Sequence, residues 1–279
     1  MISMPPLSLI LEKLSDVDVN RLAQVLALCE REIAIALNGE LDELYRQLWN
    51  GDRRALDAKS ISERALKDRC LGLLAATESR AAQQYVVQQY SQAKHFNDEY
   101  TALEVAMNFD WNETLTMSED FIRKHHEQYL TRLSWFGLVA QSNRKDTLKL
   151  VQQAAGSPYF DRKNPAASLK LLRLYGENFF QSYRNNCEGL LYVLDGIVQM
   201  DQFNSLAAAR HCSVFDYVGK IPKESKLALH KRVQQLESEG KISEQVLELL
   251  PDGDVMVNFI SSNFTLSIIS AEVLLLAKV

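Results

Sequence analysis

Proline is missing between Leu7 and Ser157, and only 11 glycines are scattered through the 279 residues. Long helices therefore run without interruption over the first half of the chain. Strictly alternating β-branched runs are missing before residue 254, so nothing in that span reads as a half-buried strand. Cysteine is sparse: Cys29, Cys70, Cys187 and Cys212 lie far apart, with no C-x-x-C spacing. The start carries neither a cationic nor an apolar leader region, and the two observations together predict a reduced, cytoplasmic protein with buried thiols. No stretch approaches the roughly 18 uninterrupted apolar residues that crossing a bilayer requires, which excludes a membrane span. Positive charge is also short, at 31 Lys and Arg against 36 Asp and Glu for a net charge of -5. That balance argues against nucleic acid or an anionic membrane as the main partner. The local cluster Lys220, Lys223, Lys226, Lys231 and Arg232 shares its segment with Glu224, Glu237 and Glu239, and reads as a solvated helix face.

Catalytic patterns are missing as well. There is no G-x-S-x-G elbow, no phosphate-cradling glycine loop and no dinucleotide fingerprint. A zinc peptidase needs two histidines one helical turn apart with a carboxylate base between them, so that two imidazoles and the base converge on one metal-bound water. Only half of this is present, in His126-Glu127-Gln128-Tyr129-Leu130, where Leu130 cannot replace the second ligand. His125 faces about 100° away from His126 on an ideal helix, and His95, His211 and His230 are isolated. Asp110 and the pair Glu119 and Asp120 read as a loop residue and as charges complementing a helix dipole. These residues supply no catalytic group, no cofactor site and no metal ligand set.

What the chain does have is apolar surface at helical spacing, within a hydrophobic content of 47% that suffices for a real core. Leu22, Val25, Leu26, Cys29 and Ile33 form one face of a helix from about Asp18 to Leu37, ended by Asn38-Gly39, and a second helix runs from Glu40 to Trp49. Ser60 with Glu63, Asn97, Ser118, and Asn143 with Asp146 read as caps of four later helices. Asn164-Pro165 opens a helix that Gly176 closes, and Gly240 ends a charged helix begun at Ser225. Trp135, Leu138, Val151 and Leu191 fall on inner stripes. Helices joined by such short turns predict an all-α fold, an irregular superhelical array of antiparallel helix pairs of armadillo or HEAT type without a fixed repeat period. The helical body takes residues 1–250. An apolar, nearly uncharged tail follows at 251–279, rich in β-branched residues, and reads either as an added pairing segment or as a fortuitous extension.

Several stretches carry a family resemblance. Trp135-Phe136-x-Leu138-x-Ala140-x-Ser142 and Phe160-Asp161-x-Lys163-Asn164-Pro165 resemble the C-terminal helical domain of bacterial aminopeptidase N, of the zinc-dependent gluzincin family. The run Ala65-Leu66-Lys67-Asp68-x-Cys70-Leu71, the pattern A-x-x-F-N-D-x-x-x-A-L from Ala93 to Leu103, and Asn204-x-x-x-Ala208-x-Arg210 match the same domain in order. The resemblance implies the helical array. It implies no chemistry, because the family's G-x-M-E-N and H-E-x-x-H signatures belong to a different domain and neither occurs here. Zinc is accordingly expected only in that catalytic domain. The family's loop F-H-x-x-D-G-x-G-Y aligns with Tyr183 at the histidine, Asn186 at the aspartate, Cys187 and Gly189 at the glycines and Leu190 at the tyrosine. Gly189 alone is kept, and Asn186 is left to serve as an N-cap.

Two functional readings follow. In one, the chain is a non-catalytic interaction module that binds peptide or protein; in the other, it is the C-terminal portion of a zinc-dependent aminopeptidase whose catalytic domain is supplied by another chain. In the resembling family the array closes over the catalytic domain, so one of its sides is expected to be a contact surface that favours a partner or self-association. Trp49, Tyr183, Arg184, Asn185 and Asn186 are the candidates, with Tyr183 and Arg184 as anchors.

Overall fold

The computed structural model describes residues 5–49 and 57–251. Helices α1 (Leu7–Glu12), α2 (Val19–Ala36), α3 (Asn38–Trp49), α4 (Ala58–Ala76), α5 (Arg80–Ser91), α6 (Phe96–Ala106), α7 (Asn112–His125) and α8 (Tyr129–Ala140) come first. They are followed by α9 (Thr147–Ala155), α10 (Pro165–Ser168), a π-helical segment Leu169–Arg173, α11 (Leu174–Glu177), α12 (Phe179–Ser182) and α13 (Arg184–Asp201). The last are α14 (Ser205–His211), α15 (Lys223–Ser238) and α16 (Glu244–Leu247). Among the described residues there is no strand, so the body is all-α as its apolar stripes predict. The expected tail lies outside the described residues.

The chain forms two compact units. One comprises Leu26–Leu138 and Ser142–Lys145. Its core is the inner stripe of α4, with Cys70, Leu71 and Leu74 buried, against Val86, Leu103 and Phe121 from the helices that follow. These positions recur at three and four residues, which places them on one side of each helix. The buried polar groups are matched: the Trp135 indole donates to Ser118 Oγ at 2.9 Å, and the Tyr90 hydroxyl donates to the Met117 carbonyl at 2.9 Å. Glu78, just past α4, holds a left-handed φ of 53°, which costs an ordinary L residue about 1–2 kcal/mol.

Of the described residues, the other unit takes 5–25, Val139–Gln141 and 146–251. Its spine is α13, where Leu190, Val193, Leu194 and Ile197 are fully buried at one helical stripe, with Leu229, Val233 and Leu236 of α15 also interior. Helix α15 ends as glycine allows. Gly240 takes φ 63°, its N–H donates to the Glu237 carbonyl at 2.9 Å, and the Lys241 N–H donates to Leu236 at 3.0 Å. Asn164 Oδ1 accepts from the Ala166 and Ala167 amides at 3.0 and 3.3 Å, with Pro165 in the first turn, as the Asn-Pro pair predicts.

Other expectations are corrected. The N-cap of α4 is Asp57, whose carboxylate accepts the Ser60 amide, so Ser60 and Glu63 lie inside the helix. Ser118 caps nothing: α7 begins six residues earlier, and the hydroxyl serves Trp135 instead. His95 stands at the N-cap position of α6, with Asn97 inside the helix. Asn143 donates to Asn108, while α9 starts four residues later. Asn38 and Gly39 form the first turn of α3 rather than a break. Gly176 does not end its helix; it is buried against Val214, whose Cγ1 would lie 2.6 Å from an added Cβ. Lys226 is buried and its ammonium donates to the Val218 carbonyl at 3.3 Å, so the basic cluster is not wholly solvated. Trp135, Leu138 and Val151 are buried as predicted, but Leu191 is half-buried, and the inner position is Leu190.

Candidate functional site

The segment Tyr183–Asn186 opens α13, and its four residues separate into two kinds. Tyr183 is 2% exposed, its hydroxyl donating to the Val214 carbonyl and accepting the Tyr217 amide at 3.2 Å. Burial raises its pKa, and the ring packs on Phe179 with centroids 4.7 Å apart. It is therefore an interior tie and not the exposed anchor that the sequence suggested; an aromatic with a polar tip fits either role, and only the partner carbonyl decides. Arg184 is half-buried, while Asn185 and Asn186 are exposed. Asn185, Asn186 and Cys187 all take left-handed backbone, with φ of 51°, 58° and 61°. Asn186 is consequently no N-cap, since a cap takes extended backbone and accepts an amide, and no such bond is made.

Trp49, the last described residue of α3, is half-buried. It stacks on Tyr45 at 6.1 Å, and Lys67 Nζ lies 5.4 Å from the centre of its ring. Lys67 is 4% exposed and pairs with Asp98 and, at 3.5 Å, with Asp68. Gln89, fully buried, extends the network by donating to the Asp98 carbonyl at 3.2 Å and accepting the Tyr45 hydroxyl at 3.1 Å. Burial, with Asp98 adding to it and Lys67 opposing it, holds the Asp68 carboxyl above the usual carboxylate range. Nothing in the Lys67-Asp68 dipeptide distinguished this interior pair from a solvated one.

The half motif His126–Leu130 does not fit zinc. It spans the turn between α7 and α8 rather than one continuous helix, and Leu130, 75% exposed, stands at the second ligand position with no donor atom; the His126 Nδ1 contact to the Arg123 carbonyl at 3.0 Å leaves Nε2 uncommitted by that bond. His125 pairs with Glu99 at 2.9 Å. His211 is buried against the Ala207 carbonyl at 2.8 Å, and burial lowers its pKa. Among the described residues, no three His, Cys, Asp or Glu side chains gather as a metal site, and no helix is long and apolar enough to cross a membrane.

A hollow of about 460 Å³ lies within the unit built on α13. Its walls come from the loop after α9, the π-helical segment, and the Tyr192 to Phe203 side of α13. Sequence reasoning missed it, because the walls are assembled from three elements whose residues carry no shared motif.

Residues 1–251 match the family described as a domain of unknown function (DUF3458_C) with ARM repeats. The chain belongs to this ARM-repeat family. It is 23% identical over 210 residues to aminopeptidase N of Escherichia coli (strain K12), a match covering 75% of this chain and 24% of that protein. Aminopeptidase N of Haemophilus influenzae is 20% identical over 238 residues, covering 85% and 27%. The crystal structure of Legionella pneumophila aminopeptidase A in complex with aspartic acid is similar in fold, with a TM-score of 0.78, 21% identity and coverage of 89% of this chain and 30% of that one. The chain thus spans about a quarter to a third of the length of these relatives, and it is an aminopeptidase N-like C-terminal helical domain.

At Gly189 an added Cβ would stand 2.6 Å from Ser182 Cα and 3.0 Å from the Ser182 carbonyl, a backbone contact that cannot yield. Cys187 takes φ 61°, a conformation that favours glycine, and its fully buried side chain offsets that conformational cost by its burial.

Proposed function

We propose that this ARM-repeat domain is a non-catalytic interaction module that binds peptide or protein, the catalytic portion of an aminopeptidase among its partners. The observation that carries this reading is the match over residues 1–251 to a family with aminopeptidase relatives, joined to a chain that holds none of the zinc-site residues such chemistry uses. Zinc would then reside in the catalytic portion alone. The surface assigned to contact in the unit built on α13 is the exposed Asn185 and Asn186 of the left-handed turn with the half-buried Arg184 before them, and Trp49, half-buried in the other unit, is a separate candidate. Strained backbone of this kind persists only where the surroundings over-determine it, and such places cluster at functional segments. The four cysteines are unpaired, which supports a reducing, cytoplasmic setting.

A second reading, favoured by the small share of each relative that the chain spans, is the C-terminal part of a working zinc aminopeptidase completed by a separate chain. A neighbouring reading frame encoding H-E-x-x-H and G-x-M-E-N supports that reading, and its absence supports a free-standing module.

Sedimentation velocity at micromolar concentration tests the interaction. The chain should self-associate or form a complex with a separately expressed catalytic portion, and Arg184→Glu should weaken the association about tenfold, as for a charge at the heart of an interface. A strictly monomeric chain that binds no catalytic portion contradicts the proposal.

A further inference from the structure

The hollow beside α13 carries charge that its own walls do not cancel. Asp195, the carboxylate in the wall, is already held by Arg232, whose Nη2 and Nε reach Oδ1 at 2.8 and 3.2 Å. Arg162 donates to the neutral Gln199 Oε1 at 2.6 Å, which satisfies one of its N–H groups without neutralising it. Lys163, beside it on the rim, has no ion-pair partner among the described residues. Two adjacent cations without an ion pair therefore line one cavity, and the neighbouring Asp161 turns Oδ1 to the Lys163 backbone amide at 2.9 Å rather than to either of them.

The remaining walls suit a flat organic group. Phe160, Tyr192, Phe203 and Leu172 line the hollow, Phe203 at 52% exposure. Gly196 lies beside Leu172 in the same wall: a Cβ there would stand 2.8 Å from Leu172 Cδ1, so the leucine tip would have to shift. The Leu172 side of the wall is the π-helical segment, a register change that recurs at ligand sites. Gln199 and Gln202 add amides, each of which can donate and accept. The volume of about 460 Å³ falls in the range of small-molecule sites, roughly 300–1,000 Å³.

We propose that this hollow binds a mononucleotide, its phosphate on Arg162 and Lys163 and its base among the aromatic rings. Charge count selects phosphate over carboxylate. A phosphomonoester carries close to two negative charges at neutral pH and engages both cations, Arg by its fork and Lys as a point charge, whereas a carboxylate leaves one uncancelled. Base stacking on aromatic side chains tolerates any base, and the two glutamine amides favour a partner with donors and acceptors along its edge.

Titration calorimetry with the full chain tests the assignment, using adenosine 5′-monophosphate, phenyl phosphate, adenosine and inorganic phosphate as probes. The nucleotide should bind with Kd below about 1 mM, at least about tenfold tighter than adenosine or phosphate and at least about threefold tighter than phenyl phosphate. The double variant Arg162→Ala, Lys163→Ala should weaken it about tenfold or more. Both side chains are exposed, so thermal melting of the variant should match wild type. No binding of the nucleotide at 1 mM-scale concentrations, phenyl phosphate binding equally well, or affinity unchanged in the double variant overturns the proposal. These outcomes are independent of association with a catalytic portion, which sedimentation reports separately.

Discussion

Replacing Lys67 by methionine should lower unfolding free energy by about 3–5 kcal/mol at neutral pH, the cost of stranding a buried charge without its partner. The lysine is 4% exposed and stands between Asp98 and Asp68, with the Trp49 ring on another side. Methionine matches the stem in length, so lost packing accounts for little of the effect. The pH dependence separates charge from shape. Asp68 is held above its ordinary pKa in the fold, and a carboxyl so shifted stabilises the protein when protonated, a contribution lost as pH rises through the folded value. Removing Lys67 takes away a group that opposes this shift, so the deficit should be largest at neutral pH and shrink as acid protonates the carboxyl. Urea denaturation at neutral and at acid pH measures it. Adding Asp68→Asn and Asp98→Asn should recover most of the loss, and a deficit that ignores pH would mean that the lysine acts by packing alone.

Gly189→Ala should cost about 3 kcal/mol or more, although alanine favours helix over glycine by about 1 kcal/mol. The steric contribution wins because the obstacle is backbone, Ser182 Cα at 2.6 Å and the Ser182 carbonyl at 3.0 Å. Relief requires moving α12 away from α13, which would loosen the Tyr183 tie to Val214 and Tyr217. A fall in Tm of about 6–12 °C is expected for a unit of this size. An unchanged Tm would show that α12 can shift freely, and the need for glycine at position 189 would then have no steric basis.

The helical body was legible because stripes and stops are local. Asn164-Pro165 and Gly240 sit where the chain needs an amide acceptor or a left-handed residue, and those needs are visible in a few consecutive residues. Ser118, Asn143 and Gly176 were misread for a physical reason: the same small polar or bare residue also suits a contact made from afar. Ser118 meets Trp135, Asn143 meets Asn108, and Gly176 meets Val214. Tyr183 carried the same ambiguity between an exposed anchor and a buried tie. The Lys67 network and the hollow beside α13 left no local trace, since each is assembled from side chains that only packing brings together.

The central claim, an ARM-repeat module that does no peptidase chemistry by itself, is tested most directly by an aminoacyl-anilide assay on the purified chain with added zinc, paired with elemental analysis after dialysis. The account predicts no turnover above background and no stoichiometric zinc, because Leu130 stands one turn from His126 where a second imidazole would be needed. Turnover that is abolished by Glu127→Gln, together with bound zinc, would contradict it.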